Sequence, residues 1–71
     1  MIYRVSNSKI RDKRKEKGLS QEEFAAMLGI AVQTLRCIES GPKVPSAGLL
    51  RNIAVNLDCS MEYFVYEDTS A

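Results

Sequence analysis

The side chains able to do chemistry in this sequence are few, and their types favour binding over catalysis. None of the 71 residues is histidine, so the usual general base near neutral pH and the third member of most nucleophilic triads are missing. Cys37 and Cys59 are the two cysteines; they have neither Cys-x-x-Cys spacing nor histidines to complete a zinc site. A reducing compartment argues against a bridge between them. Gly18, Gly29, Gly41 and Gly48 are too scattered to form a phosphate-cradling loop. No metal, no cofactor and no enzyme activity are expected.

Charge is distributed unevenly. The formal net charge is only +1, but residues 1–20 carry Arg4, Lys9, Arg11, Lys13, Arg14, Lys15 and Lys17 against Asp12 and Glu16, a local excess of +5. The rest of the chain has a balance of −4. A basic end on a mildly acidic body suits a surface that orients on a phosphate backbone. A solvated helix face accounts for the same run equally well.

A chain of 71 residues, 45% hydrophobic and 27% charged, can bury one core, so residues 1–71 are expected to form one domain. The longest stretch without a polar side chain, residues 24–32, is far short of the ~18 residues of a membrane helix. The first five residues lack the apolar stretch of a signal peptide. A cytoplasmic protein that makes no use of a membrane is expected.

Helix punctuation divides the chain. Residues 9–17 are helix formers between a capping Ser8 and Gly18, with Ile10 the only aliphatic side chain. Ser20-Gln21-Glu22-Glu23 is a capping box, and Leu19 with Phe24 fits the hydrophobic staple; the helix runs over 21–28, buries Phe24, Ala25 and Leu28, and ends at Gly29. A third helix over 32–40 closes at Gly41-Pro42, and Pro42-Lys43-Val44-Pro45 is a rigid extended connection. Ser46 caps a helix over 46–56 with Leu50, Ile53, Ala54 and Leu57 at i, i+3, i+4 and i+7. Ser60 starts a last short helix over 60–64. The β-branched and aromatic ends, Ile2-Tyr3-Arg4-Val5 and Phe64-Val65-Tyr66, predict a two-stranded antiparallel ribbon, the alternative being that both ends fray.

The helices over 21–28 and 32–40, joined by three residues with glycine at the turn, make a helix-turn-helix unit. Ala25 is small where the two must cross closely. At about 100° per residue, Val32, Arg36, Ser40, Gln33 and Cys37 span one side of the third helix, while Leu35, Ile38 and Ala31 cluster on the other. One side is left for the core and the opposite side is free.

In this frame the residues resemble a known family. Leu19-Ser20-Gln21-Glu22-Glu23-Phe24-Ala25, Leu28-Gly29-Ile30, Thr34-Leu35, Ile38-Glu39-Ser40-Gly41, Pro45-Ser46 and Leu50 with Ile53-Ala54 and Leu57 look like the Cro/C1-type (Xre-like) helix-turn-helix domain of phage repressors and bacterial regulators. The chain ends resemble a small stand-alone branch of it. The resemblance implies an all-α, five-helix, lambda-repressor-like fold and sequence-specific binding of double-stranded DNA, with residues 32–40 as recognition helix in the major groove. Carried over by position, Gln21 would bond a phosphate, and Val32, Gln33, Arg36 and Cys37 would face base edges or the flanking backbone. Gln33 suits adenine, Val32 a thymine methyl, Arg36 guanine or a phosphate, and Thr34 a phosphate. Lys43, in the connection that follows, belongs to the same candidate set. Arg14 and Glu39 align with an ion pair between the first and third helices, against the alternative of two independent surface charges.

The sequence also departs from the family pattern. Ala31 stands where a Ser or Thr usually caps the recognition helix, a loss of about 1 kcal/mol. Val32 and Cys37 replace polar readout residues, and Asp58 stands where glycine is common after the fourth helix. Cys37 is expected to contact a base as a small apolar residue, the alternative being an oxidant-sensing thiol; Cys59 is expected in the core. A single small domain discriminates weakly among sequences, so a homodimer is expected, with Leu49, Val55, Tyr63, Val65 and Tyr66 as surplus apolar residues for its surface. The competing reading is a protein-interaction adaptor that keeps the fold without reading DNA.

Overall fold

The computed structural model describes residues 2–68, and four of the five helices in that span begin at a serine. Strand β1 (Ile2–Val5) leads into α1 (Asn7–Glu16), α2 (Gln21–Leu28), α3 (Val32–Ser40), α4 (Ala47–Asn56), α5 (Met61–Phe64) and strand β2 (Val65–Asp68). The expected five helices and terminal ribbon are both present. In the ribbon the strands run antiparallel, pairing Tyr3 with Glu67, Arg4 with Tyr66 and Val5 with Val65.

Helix α1 starts earlier than its sequence suggests. Ser6 is the cap, its hydroxyl accepting from the Lys9 amide at 3.4 Å. Ser8 lies inside the helix. Two tertiary bonds favour the earlier start: the Ser6 amide donates to the Phe64 carbonyl at 2.6 Å, and the Asn7 side chain donates to the Glu39 carbonyl at 2.8 Å. Both partners are far away in the sequence. At the other end the strand over 65–68 begins one residue later than expected, because Phe64 is the last, fully buried residue of α5.

The α2–α3 turn follows from local chemistry. Ser20 and Glu23 form both bonds of the capping box, at 3.0 and 2.9 Å. Gly29 takes the left-handed conformation at φ +70°, and the amides of Ile30 and Gly29 return to the carbonyls of Ala25 and Ala26, the paired bonds of a Schellman ending. Ile30 then packs on the core. Ala31 caps α3 without any side-chain bond, as expected, but it is exposed and does not face the core: as cap it already lies outside the helical turn whose periodicity placed it inward. Asp58 adopts φ +56° where the family often has glycine, a conformation Asp tolerates better than most residues.

Every helix contributes to one core. Ile10, Phe24, Leu35, Ile38, Ile53, Leu57 and Phe64 are fully buried, with Ala25, Leu28, Leu50 and Ala54 around them. Each large aliphatic or aromatic side chain stabilises the fold by about 1.5–3 kcal/mol through burial. Helix α1 supplies only Ile10 and Arg14 to the interior, so its position depends on a polar contact as much as on packing.

Candidate nucleic-acid interface

Helix α3 has two chemically distinct sides. Leu35 and Ile38 are buried against the other helices. Beside them Glu39, 3% exposed, receives Arg14 in a forked ion pair: Nε to Oε2 at 2.7 Å and Nη2 to Oε1 at 3.0 Å. Arg14 Nη1 also donates to the Leu19 carbonyl at 2.7 Å. The expected pair between the first and third helices is therefore present and buried, and it joins α1 to α3 and to the entry of α2. Among the described residues no buried side-chain nitrogen or oxygen lacks a hydrogen-bond partner.

The opposite side is open. Gln33, Arg36 and Ser40 are exposed, and Thr34 and Cys37 are half-buried. Gln33 Nε2 lies 4.0 Å from the Cys37 sulfur, too far to restrain either strongly. The Ser40 hydroxyl is turned inward, donating to the Arg36 carbonyl at 2.8 Å. Val32 is half-buried and packs on the core, so part of its side chain is engaged by the protein itself. Lys43, just beyond α3, is exposed and has no ion-pair partner among the described residues.

Gln21 is half-buried and occupied on both sides of its amide. Its Nε2 donates to Glu39 Oε1 at 3.1 Å, and its Oε1 accepts from Arg36 Nε at 3.2 Å. Arg36 Nη2 also stands 3.7 Å from Glu22 Oε1, both groups exposed. The sequence reading placed Gln21 among phosphate contacts and missed this bridge. No spacing rule reveals it, because residues 14, 21, 36 and 39 meet only when three helices pack.

Several charges of the basic amino-terminal run are engaged elsewhere in the fold. Lys9 and Lys13 lie over the Tyr63 ring of α5, at 4.8 and 5.3 Å from its centroid. Lys13 also pairs with Glu16, whose charge raises the lysine's pKa, and Lys17 pairs with Asp58, holding that carboxyl below the usual range. Arg4 pairs with Asp68 across the ribbon. Of the basic residues in this run, Lys9, Lys13 and Lys17 thus hold α1 on α5 and on the turn before it. At the α2 entry, the Ser20 amide bonded to the Glu23 carboxylate lowers its pKa as well.

Fold and site together define a helix-turn-helix protein. The model of the helix-turn-helix family matches residues 10–64, and the chain belongs to that family, in its Cro/C1-type (Xre-like) group. It is 44% identical over 62 residues to YazB of Bacillus subtilis, an uncharacterized HTH-type transcriptional regulator, covering 87% of this chain and 90% of that one. Among solved structures it is similar to the biofilm regulator SinR of Bacillus subtilis in complex with DNA, with TM-score 0.74, 35% identity and coverage of 79% and 90% of the two chains. It is also similar to the restriction-modification controller protein C.AhdI of Aeromonas hydrophila, with TM-score 0.74, 28% identity and coverage of 79% and 85%.

Proposed function

We propose that residues 1–71 form a single DNA-binding domain that represses transcription by inserting α3 into the major groove of a specific operator. One observation carries this reading: α3 is anchored by Leu35, Ile38 and the locked Glu39 on one side, while Gln33 and Arg36 stand exposed on the other. A helix presented in this way suits direct readout. Gln33 pairs with adenine, Arg36 with guanine or a phosphate, and Cys37 and the exposed part of Val32 make apolar contacts to bases. Thr34, Lys43 and the free N–H of Gln21 bind the phosphate backbone and set the register. SinR, a similar protein, has been solved on DNA, which supports the same use here.

Readout by one such unit is limited, so the protein acts as a homodimer on a palindromic site, with recognition helices about 34 Å apart. Leu49 and Val65 pack on the chain's own core. The dimer surface then rests on Val55, Tyr63 and Tyr66, which are exposed. Among the described residues no helix is long and apolar enough to cross a membrane, and a protein reading chromosomal DNA works in the cytoplasm, on the nucleoid.

Selection from random duplexes followed by binding titrations at several salt concentrations tests this. A palindromic consensus, bound with an affinity that falls steeply with salt as counterions are released, is the expected result. Salt-independent behaviour with no duplex selected refutes it and leaves the adaptor reading.

A further inference from the structure

We propose that Gln21 is a positioning residue that determines the base preference of Arg36 by tying it to the buried Arg14–Glu39 pair. The proposal rests on the DNA-reading role of α3 given above.

The chain of contacts has only one consistent orientation. Glu39 is buried and paired with Arg14 through both oxygens, so as a carboxylate it can only accept hydrogen bonds. It therefore turns the NH2 end of the Gln21 amide toward itself, at 3.1 Å. The carbonyl end must then face away, where it accepts from Arg36 Nε at 3.2 Å. Flipping the amide would set oxygen against oxygen at one end and N–H against N–H at the other. Three helices thus cooperate to hold one guanidinium.

Two consequences bear on readout. An arginine can grip guanine side-on, through Nε and Nη2, or end-on through the two Nη groups; with Nε already donating to Gln21, the end-on fork remains. The long arginine side chain is also restrained before DNA arrives, which reduces the rotamer freedom lost on binding. Glu22 at 3.7 Å from Nη2 is solvent-exposed, so it is a weak and replaceable partner. This differs from a plain phosphate contact, which would weaken binding to all sequences alike.

The test has a DNA-free and a DNA-bound arm. In the free protein, 15N relaxation of the Arg36 Nε–H should report a restrained group, and Gln21→Met should make it mobile on the ps–ns timescale. On DNA, base-preference profiles are compared for the parent, Gln21→Met, Arg36→Met and the double variant. Gln21→Met should lose about threefold to tenfold discrimination, the worth of one hydrogen bond, at the same base pair that Arg36→Met affects. The double variant should lose no more discrimination than Arg36→Met alone. Gln21→Asn, which keeps the amide on a side chain one methylene too short to span both contacts, should behave like Gln21→Met and covers the case in which the methionine variant fails to fold. A loss of affinity spread evenly over all sequences, with the preference at the Arg36 base pair retained, leaves Gln21 as a phosphate contact alone and overturns the proposal, as does an Arg36 that is equally mobile in parent and variant. If the parent has no sequence preference, the regulator reading fails and takes this proposal with it, whereas a changed Arg36 mobility with unchanged base preference overturns the positioning role alone.

Discussion

Replacing Arg14 by methionine should destabilise the fold severely, although arginine is ordinarily a surface residue. The substitution deletes the two bonds to Glu39, at 2.7 and 3.0 Å, and the bond to the Leu19 carbonyl at 2.7 Å. What remains is a carboxylate 3% exposed, held only by the Gln21 N–H. Stranding one member of a buried pair costs about 3–5 kcal/mol. At about 0.05–0.15 kcal/mol per residue the whole protein is stable by roughly 4–11 kcal/mol, so much of that margin is lost. With about 4–8 °C per kcal/mol for a chain of this size, the melting midpoint should fall by about 12 °C or more. Far-UV circular dichroism with thermal and urea unfolding measures this. Arg14→Met combined with Glu39→Met should lie closer to the parent than either single variant, with a coupling of roughly 2–3 kcal/mol, because no unpaired charge is left and Gln21 is half-buried and can reach water. If Arg14→Met melts with the parent but binds DNA more weakly, the arginine is a surface cation and the buried-pair reasoning is wrong.

Other consequences are open to the same assays. Ala31→Ser should raise stability by about 1 kcal/mol by supplying the cap that α3 lacks; an unchanged melting midpoint would show that the α3 amides are already satisfied. Leu35→Ala, at a fully buried site, should cost about 2–5 kcal/mol, and a shift below 1 kcal/mol would contradict the packing described. Gln33→Ala should leave stability unchanged while removing about 1–3 kcal/mol of preference at one base pair; equal binding to every selected site argues against its readout role. Glu23 and Asp58 have folded pKa values below their ordinary ones, so their contributions are complete above about pH 5 and decline as pH falls through the carboxylate range near 4 and below. Glu23→Gln keeps an acceptor for the Ser20 amide without the titration, and its midpoint should fall less steeply than the parent's between about pH 5 and 3; parallel curves would exclude Glu23 as a source of the acid sensitivity.

Much of the local structure could be read from neighbouring residues. The capping box at Ser20 and Glu23, the stop at Gly29 and the stripe Leu50, Ile53, Ala54 and Leu57 each involve partners within two turns of helix, and short-range spacing encodes such interactions directly. Even the ribbon followed from the composition of the two ends. Errors arose where near-equivalent local choices existed. Ser6 and Ser8 are both competent caps, and bonds to Phe64 and Glu39 decide between them. Leu49 and Val65, expected on a dimer surface, are half-buried and pack against the core.

The amino-acid order alone therefore determined the helices apart from the start of α1, the turn between α2 and α3, and the side of α3 that faces outward, because these depend on periodicity and on caps a few residues apart. Only tertiary packing decided how the charges are used. It draws Lys9, Lys13 and Lys17 toward α5 and the turn before it, and it brings Arg14, Gln21, Arg36 and Glu39 into one network. The physical reason is range: a cap or an apolar stripe acts within a few residues, whereas the partner of a buried charge is set by which helices meet in space.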